Sequence, residues 1–194
     1  MRILLVNKYY YLRSGTERYL FNLKQLLESH GHTVEIFAMQ DPRNLPTTYQ
    51  EFFAPEVDFY HLGIFERLQA VRRVIWYPQA AHLVSKLLDE YKPDLVHLLN
   101  IYHQLSPSIL PEFTRRRIPV VQTLNDYNLI CPNYLLYTQN QACYRCRNHN
   151  YFQAVRYRCF NGSASMSFVA AAQMTLHKLW QVYEKNVKIF PFLM

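Results

Sequence analysis

The sequence predicts an α/β fold, a doubly wound parallel sheet, and two observations carry that prediction. Short unbroken apolar runs, RILLVN (2–7), TVEIFA (33–38), DLVHLLN (94–100) and IPVVQTLN (118–125), read as strands covered on both faces. Segments with helical spacing of apolar residues separate them, so strand and helix alternate as they do where helices cover both faces of a parallel sheet.

The elements follow in order. From Glu17 to His30, Leu20, Leu23, Leu26 and Leu27 recur on one helical face, and Gly31 stands where a helix C-terminus takes a left-handed residue. Residues 39–63 show no period and contain Pro42, Pro46 and Pro55, which reads as a loop. A helical pair follows: Ile64, Phe65, Leu68, Val71 and Ile75 share one face, and Leu83, Val84, Leu87, Leu88 and Tyr91 another, with Pro93 as the stop. PSILPEFTRRR (107–117) reads as a short helix and residues 126–162 as an irregular cysteine-bearing loop. A long helix carrying Phe168, Met174, Leu176, Leu179, Trp180 and Tyr183 is expected over 163–185, and VKIF (187–190) as a last strand. No internal repeat or low-complexity tract appears, and the whole of 1–194 reads as one domain.

Composition bounds the function. Half the residues are hydrophobic and 18% are charged, which excludes a disordered chain. No apolar run reaches the eighteen or so residues of a membrane span, and the apolar stretch before Lys8 is too short for a signal peptide. A cytoplasmic protein is expected. The net charge of +7 favours anionic partners, although solvated surface charge accounts for it equally well. Basic groups gather at Arg67/Arg72/Arg73, at Arg115/Arg116/Arg117 and at Arg145/Arg147/Arg156/Arg158, the last set interleaved with Tyr144, Tyr151, Phe152 and Tyr157. Such a set suits peripheral contact with the inner face of a membrane, or a lipid-linked phosphate. Nucleic acid is disfavoured, since none of the named recognition motifs occurs.

Ligands of doubly wound sheets bind outside the carboxyl ends of the strands, so the loops after residues 7, 100 and 125 are where a site is expected. The first holds Ser14-Gly15-Thr16-Glu17 at a strand-to-helix corner. A helix N-terminus offers unpaired N–H groups, and glycine lets a phosphate come close. Ser14 with Glu17 three residues on also fits a capping box, a purely structural role compatible with the first. The second loop holds His103, read either as a polar contact to substrate or as a structural histidine. In the third, Asp126 suits a general base or a hydroxyl-binding carboxylate, or else a loop cap.

Cys131, Cys143, Cys146 and Cys159, spaced C-x11-C-x2-C-x12-C, supply the ligand count of a closed structural zinc site, with His149 as a substitute ligand. The alternatives are free buried thiols or a disulfide, which a reducing compartment disfavours.

The segments SGTERYLFNLKQLLESHGHTVEIFA, PDLVHLLNIYHQLSPSIL and IPVVQTLNDYNLICPNYLL together resemble the N-terminal, acceptor-binding domain of retaining, nucleotide-sugar-dependent glycosyltransferases of the GT-B fold, over nearly the whole chain. The resemblance implies one Rossmann-like half of a two-domain enzyme, facing a donor-binding domain carried on the same or a separate chain. It implies that Ser14, Gly15 and Thr16 approach the donor's phosphates or sugar, and that Asn125, Asp126 and His103 serve the reacting end. Two departures stand out. The family's paired glycines are here Ser14-Gly15, and its usual histidine before the aspartate is here Asn125, which hydrogen-bonds a hydroxyl but does not titrate near neutral pH. The expected function is therefore the acceptor-binding half of an enzyme that transfers a sugar to a carbohydrate or lipid-linked acceptor, inactive without its donor half. The competing expectation is a non-catalytic, zinc-stabilised module for an anion or membrane.

Overall fold

The computed structural model describes residues 1–56 and 64–187, without the side chains of residues 64–68. The chain divides into two compact units, one of Met1–Thr123 with the residues from Tyr183 on, the other of Leu124–Val182.

The first unit is the doubly wound sheet. Strands β1 (Arg2–Val6), β2 (Thr33–Phe37), β3 (Leu95–Leu98) and β4 (Val120–Gln122) run parallel in the order β2-β1-β3-β4. Ile3 lies beside Val34 on one side and Leu95 on the other, so β1 is central and buried from Ile3 to Val6. The chain leaves β1 toward β2 and later returns to β1's other edge as β3. The carboxyl ends of β1 and β3 are thus the topological switch point, where the connections diverge and leave a crevice.

Helix α1 (Gly15–Ser29) buries Leu20 and half-buries Leu23 and Leu27 against the β1–β2 core, but Leu26, expected on the same stripe, is 56% exposed. Its end is closed by Gly31 at φ 77°: Gly31 N–H reaches Glu28 O at 3.0 Å and His32 N–H reaches Leu27 O at 3.1 Å, which satisfies two end carbonyls. Residues 39–56 form turns, a single bridge between Met39 and Ala54, and a 3-10 turn at Gln50–Phe52. Helix α2 (Ile64–Ile75) precedes α3 (Pro78–Tyr91), which buries Ala80, Val84, Leu87, Leu88 and Tyr91 and stops on left-handed Lys92 just before Pro93. A 3-10 turn at Pro107–Ile109 leads into α4 (Leu110–Arg115). The side chains of Ile64, Phe65, Arg67 and Leu68, and residues 188–190 of the expected last strand, lie outside the described residues.

The second unit is more regular than the loop expected over 126–162. It contains an antiparallel pair, β5 (Tyr137–Thr138) with β6 (Gln141–Ala142), then helix α5 (Gln153–Arg156) and helix α6 (Ala164–Trp180). Cys146, Tyr151, Ala154, Ala171 and Met174 form its small core, with Val155 and Cys159 against it. The single helix expected over 163–185 is interrupted. Gln181 takes the left-handed conformation at φ 54°, and α7 (Val182–Asn186) begins anew. Of the large side chains on α6, Met174 is buried, whereas Phe168, Leu179 and Trp180 are exposed; the helix also buries Ser167, Ala170, Ala171, Gln173 and His177.

Candidate functional site

An asparagine follows each strand at the switch point, Asn7 directly after β1 and Asn100 two residues after β3, and the fold ties them together. Asn7, fully buried, accepts a hydrogen bond at Oδ1 from Asn100 N–H at 3.1 Å. Its Nδ2 donates to Tyr9 O at 2.9 Å and to Glu17 Oε1 at 3.1 Å. Lys8 N–H closes the crossing on Asn100 O at 2.8 Å. The end of β1, the end of β3 and the first turn of α1 are therefore one hydrogen-bonded assembly.

Glu17 holds the helix in it. Its side chain, 1% exposed, accepts from Asn7 at one oxygen and from Ser14 Oγ at the other, 2.6 Å away. This corrects the capping box. Ser14 is the N-cap residue, with extended backbone (φ −147°, ψ −172°), but its hydroxyl makes no bond to a helix N–H and gives its proton to Glu17 instead. The reason is geometric: the carboxylate is turned toward buried Asn7, so the serine follows it. The first-turn N–H groups consequently have no side-chain cap from Ser14.

Gly15 opens α1, and its φ is not positive. A Cβ built on it meets nothing within 4 Å. Neither the turn nor the packing of the described residues requires glycine here, and the space beside it is open.

Three amide oxygens in and after β3 and β4 also lack donors among the described residues. Asn100 Oδ1 and Gln104 Oε1, after β3, and Gln122 Oε1, at the end of β4, are buried without hydrogen-bond partners. The nitrogens of the two glutamines are spent, Gln104 Nε2 on Tyr9 Oη at 3.4 Å and Gln122 Nε2 on Tyr102 Oη at 2.9 Å, which fixes which way each amide points. Buried polar atoms are nearly always paired, so a row of unpaired acceptors is a place for a donor. Hydroxyl groups supply such donors. Sequence reading missed these residues; the signal was a polar amide inside or just beyond an otherwise apolar stretch, Asn100 ending one run and Gln122 lying within the next.

His103 has a left-handed backbone at φ 67° and helps turn the chain after β3. The three tyrosines that follow β1 are buried, and cations lie over them: the Arg13 guanidinium is 4.5 Å from the Tyr9 ring centre and that of Arg43 is 4.4 Å from Tyr11. Arg43 also holds buried Asp41 by two hydrogen bonds, which keeps its carboxyl below the usual range. His97, on β3, is within 2.7 Å of Thr123 Oγ1, and burial pushes its pKa down. Two open depressions lie elsewhere, one beside β2 lined by Tyr10, Lys24, Glu28 and Glu35, the other lined by Trp76, His82, Ser108 and Arg115.

Asn125 and Asp126 belong to the second unit. Asn125 is exposed, and Asp126 Oδ1 accepts from Asn128 N–H at 2.9 Å, the turn-capping role that was the alternative to a base. The four cysteines are unbridged. Cys131 Sγ donates to Asn133 Oδ1 at 2.9 Å, and Cys143 accepts from Arg145 at 3.4 Å. The Cys146 thiol is pushed up to about 12, first by burial and then by the other three sulfurs, which are near enough to oppose its charge. No group of three or more His, Cys, Asp or Glu side chains among the described residues is arranged to hold a metal, so the zinc expected at Cys131, Cys143, Cys146 and Cys159 has no ligand geometry in support. His149, the substitute ligand, hydrogen-bonds Tyr151 Oη through Nδ1 at 2.9 Å.

The model of glycosyltransferase family 4 matches residues 13–190, from just before the glycine corner through both units. The chain belongs to that family. Among solved structures, it is similar to sucrose-phosphate synthase from Thermosynechococcus elongatus, with 14% identity and a TM-score of 0.42 over 66% of this chain and 34% of that one. It is also similar to a UGT transferase from Siraitia grosvenorii in complex with UDP, with 9% identity and a TM-score of 0.41 over 97% of this chain and 50% of that one. The chain thus spans a third to a half of the length of these proteins. No curated protein matches it.

Proposed function

We propose that this family 4 chain is the N-terminal, acceptor-binding half of a retaining GT-B glycosyltransferase, which moves a sugar from a nucleotide-sugar donor to a carbohydrate or lipid-linked acceptor. A donor-binding half, in cis or in trans, completes the enzyme. The observation that carries the reading is the carboxyl edge of the sheet. Three buried amide oxygens in and after β3 and β4 lack donors among the described residues, and the N-terminus of α1 opens on a glycine needed neither for the turn nor for packing. Sugar hydroxyls answer the first feature, and a close-approaching phosphate or sugar answers the second.

In this reading Asn100, Gln104 and Gln122 accept hydroxyl protons, Gly15 and Thr16 offer backbone to the donor's phosphate or sugar, and the Asn7–Glu17–Ser14 assembly holds that helix end at the strand ends. Asp126 and Asn125 are assigned contacts to the acceptor, with Asp126 the candidate base; His103 is assigned a polar contact to the substrate. The chain alone transfers no sugar, because fold without the donor site supplies no chemistry. Saturation-transfer NMR with a panel of mono- and disaccharides tests the acceptor edge. Sugar binding that is weakened by Gln104→Ala supports the reading, and binding unaffected by Gln104→Ala and Asn100→Ala contradicts it.

Zinc is a separate proposal, carried by the number and common unit of the four cysteines rather than by ligand geometry. Metal analysis after purification under reducing conditions gives about one zinc per chain if it holds. Metal-free protein with four freely titrating thiols overturns it.

A further inference from the structure

Helix α6 has two faces. One buries Met174, Ala170 and Ala171 with the polar Ser167, Gln173 and His177; the other presents Phe168 at 53% and Leu179 at 72% exposure. Residues 168, 172, 176 and 179 are three or four apart, so Phe168, Ala172, Leu176 and Leu179 form one outward stripe, none of them buried. The stripe continues onto α5. Phe152, 52% exposed, meets the Phe168 ring at 6.2 Å. Arg156, one turn beyond Phe152, is also exposed, and its guanidinium lies 5.8 Å from the Tyr157 ring, over which Arg145 stands at 4.2 Å.

A helix that keeps large apolar side chains in an outward stripe is placed for an apolar surface outside the chain. Charge selects which. Across residues 124–182 there are five basic side chains, Arg145, Arg147, Arg156, Arg158 and Lys178, and one acidic, Asp126. A second copy would bring two units of the same net positive charge together, with Arg156 at the contact of each, which opposes self-association. An anionic bilayer accepts both parts of the face, apolar rings among the acyl chains and arginines at the headgroups. No helix of the described residues is long and apolar enough to cross a membrane, so the contact is in the plane of the surface.

We propose that the α5–α6 face, through Phe152, Phe168, Leu179 and Arg156, seats the second unit on an anionic membrane surface. The proposal does not depend on the transferase reading, since vesicle binding is read without any sugar. A lipid-linked acceptor would be met at that surface.

Flotation of the full chain with vesicles of phosphatidylcholine and phosphatidylglycerol in equal parts is the test, with vesicles of phosphatidylcholine alone as the comparison. The chain should float with the anionic vesicles, less as salt rises. The double variant Phe168→Ser/Leu179→Ser should lower the bound fraction about tenfold at unchanged melting temperature, because both side chains are already exposed. Arg156→Glu should lower it on anionic vesicles by a smaller factor. Equal binding to both vesicle types, no binding to either, or binding unchanged by the double variant overturns the proposal. A dimer in solution that the double variant dissolves, with no vesicle binding, assigns the face to a second copy and overturns it equally.

Discussion

Helices α3 and α6 carry similar apolar periods, yet α3 buries Val84, Leu87 and Leu88 while α6 buries Ser167, Gln173 and His177 and leaves Phe168 and Leu179 outside. The difference follows from what each helix has to cover. A four-stranded sheet offers α3 a wide apolar face, whereas the second unit has a pair of two-residue strands and a core of a few side chains. An apolar stripe predicts burial only where the same chain supplies the surface to be buried against; elsewhere it predicts a partner.

The largest effect expected from this contrast is on core truncation. Leu20→Ala, at a fully buried site of the first unit, should cost about 3 kcal/mol in denaturant unfolding. Leu179→Ser should stay within about 0.5 kcal/mol of the parent. A large loss from Leu179→Ser would place that side chain in a core after all.

Glu17→Ala comes next. It leaves the buried Asn7 amide and the Ser14 hydroxyl without their acceptor, and the expected cost is about 2 kcal/mol. Ser14→Ala removes one of those bonds and should cost about 1 kcal/mol, through Glu17 and not through a helix cap. If Ser14→Ala and Glu17→Ala behave additively rather than as a coupled pair in a double-mutant cycle, the assembly is not one unit.

These two residues also show how far the sequence could be read. The parallel sheet, its order of elements and the Gly31 stop were legible, because apolar runs and a left-handed glycine are local signals. The pairing of Ser14 with Glu17 was legible as a spacing but not as a geometry, since its direction depends on Asn7, ten residues from Glu17 and buried in the strand crossing. The buried amides Asn100, Gln104 and Gln122 were invisible because burial without a partner depends on the packing around each. The helix of α6 was legible, but which of its apolar residues are buried was not. The cysteine spacing gave a ligand count, but thiol geometry depends on a fold with few regular elements.

A smaller effect is expected from pH. Burial depresses the His97 pKa in the folded state, so the unfolded chain binds the extra proton more readily. Stability from this group is complete above the unfolded value of about 6.5 and falls as pH drops through it toward the lower folded value. His97→Gln should flatten that part of the thermal-stability profile, and an unchanged profile would assign the acid loss elsewhere. Cys146, with its thiol near 12, should react slowly with alkylating agents at neutral pH until the second unit opens, and immediate labelling of the folded chain would contradict its burial.

The account rests most heavily on Gly15, at a corner where neither backbone angle nor packing calls for glycine. The direct measurement is sugar transfer by the Gly15→Ala chain joined to, or mixed with, the donor half proposed for it, alongside its melting temperature. Transfer should fall sharply while the melting temperature stays within a degree or so of the parent, because the added methyl group meets open space in the folded chain and blocks only a ligand. Unaltered transfer by the folded variant would contradict the account and leave the corner as a turn.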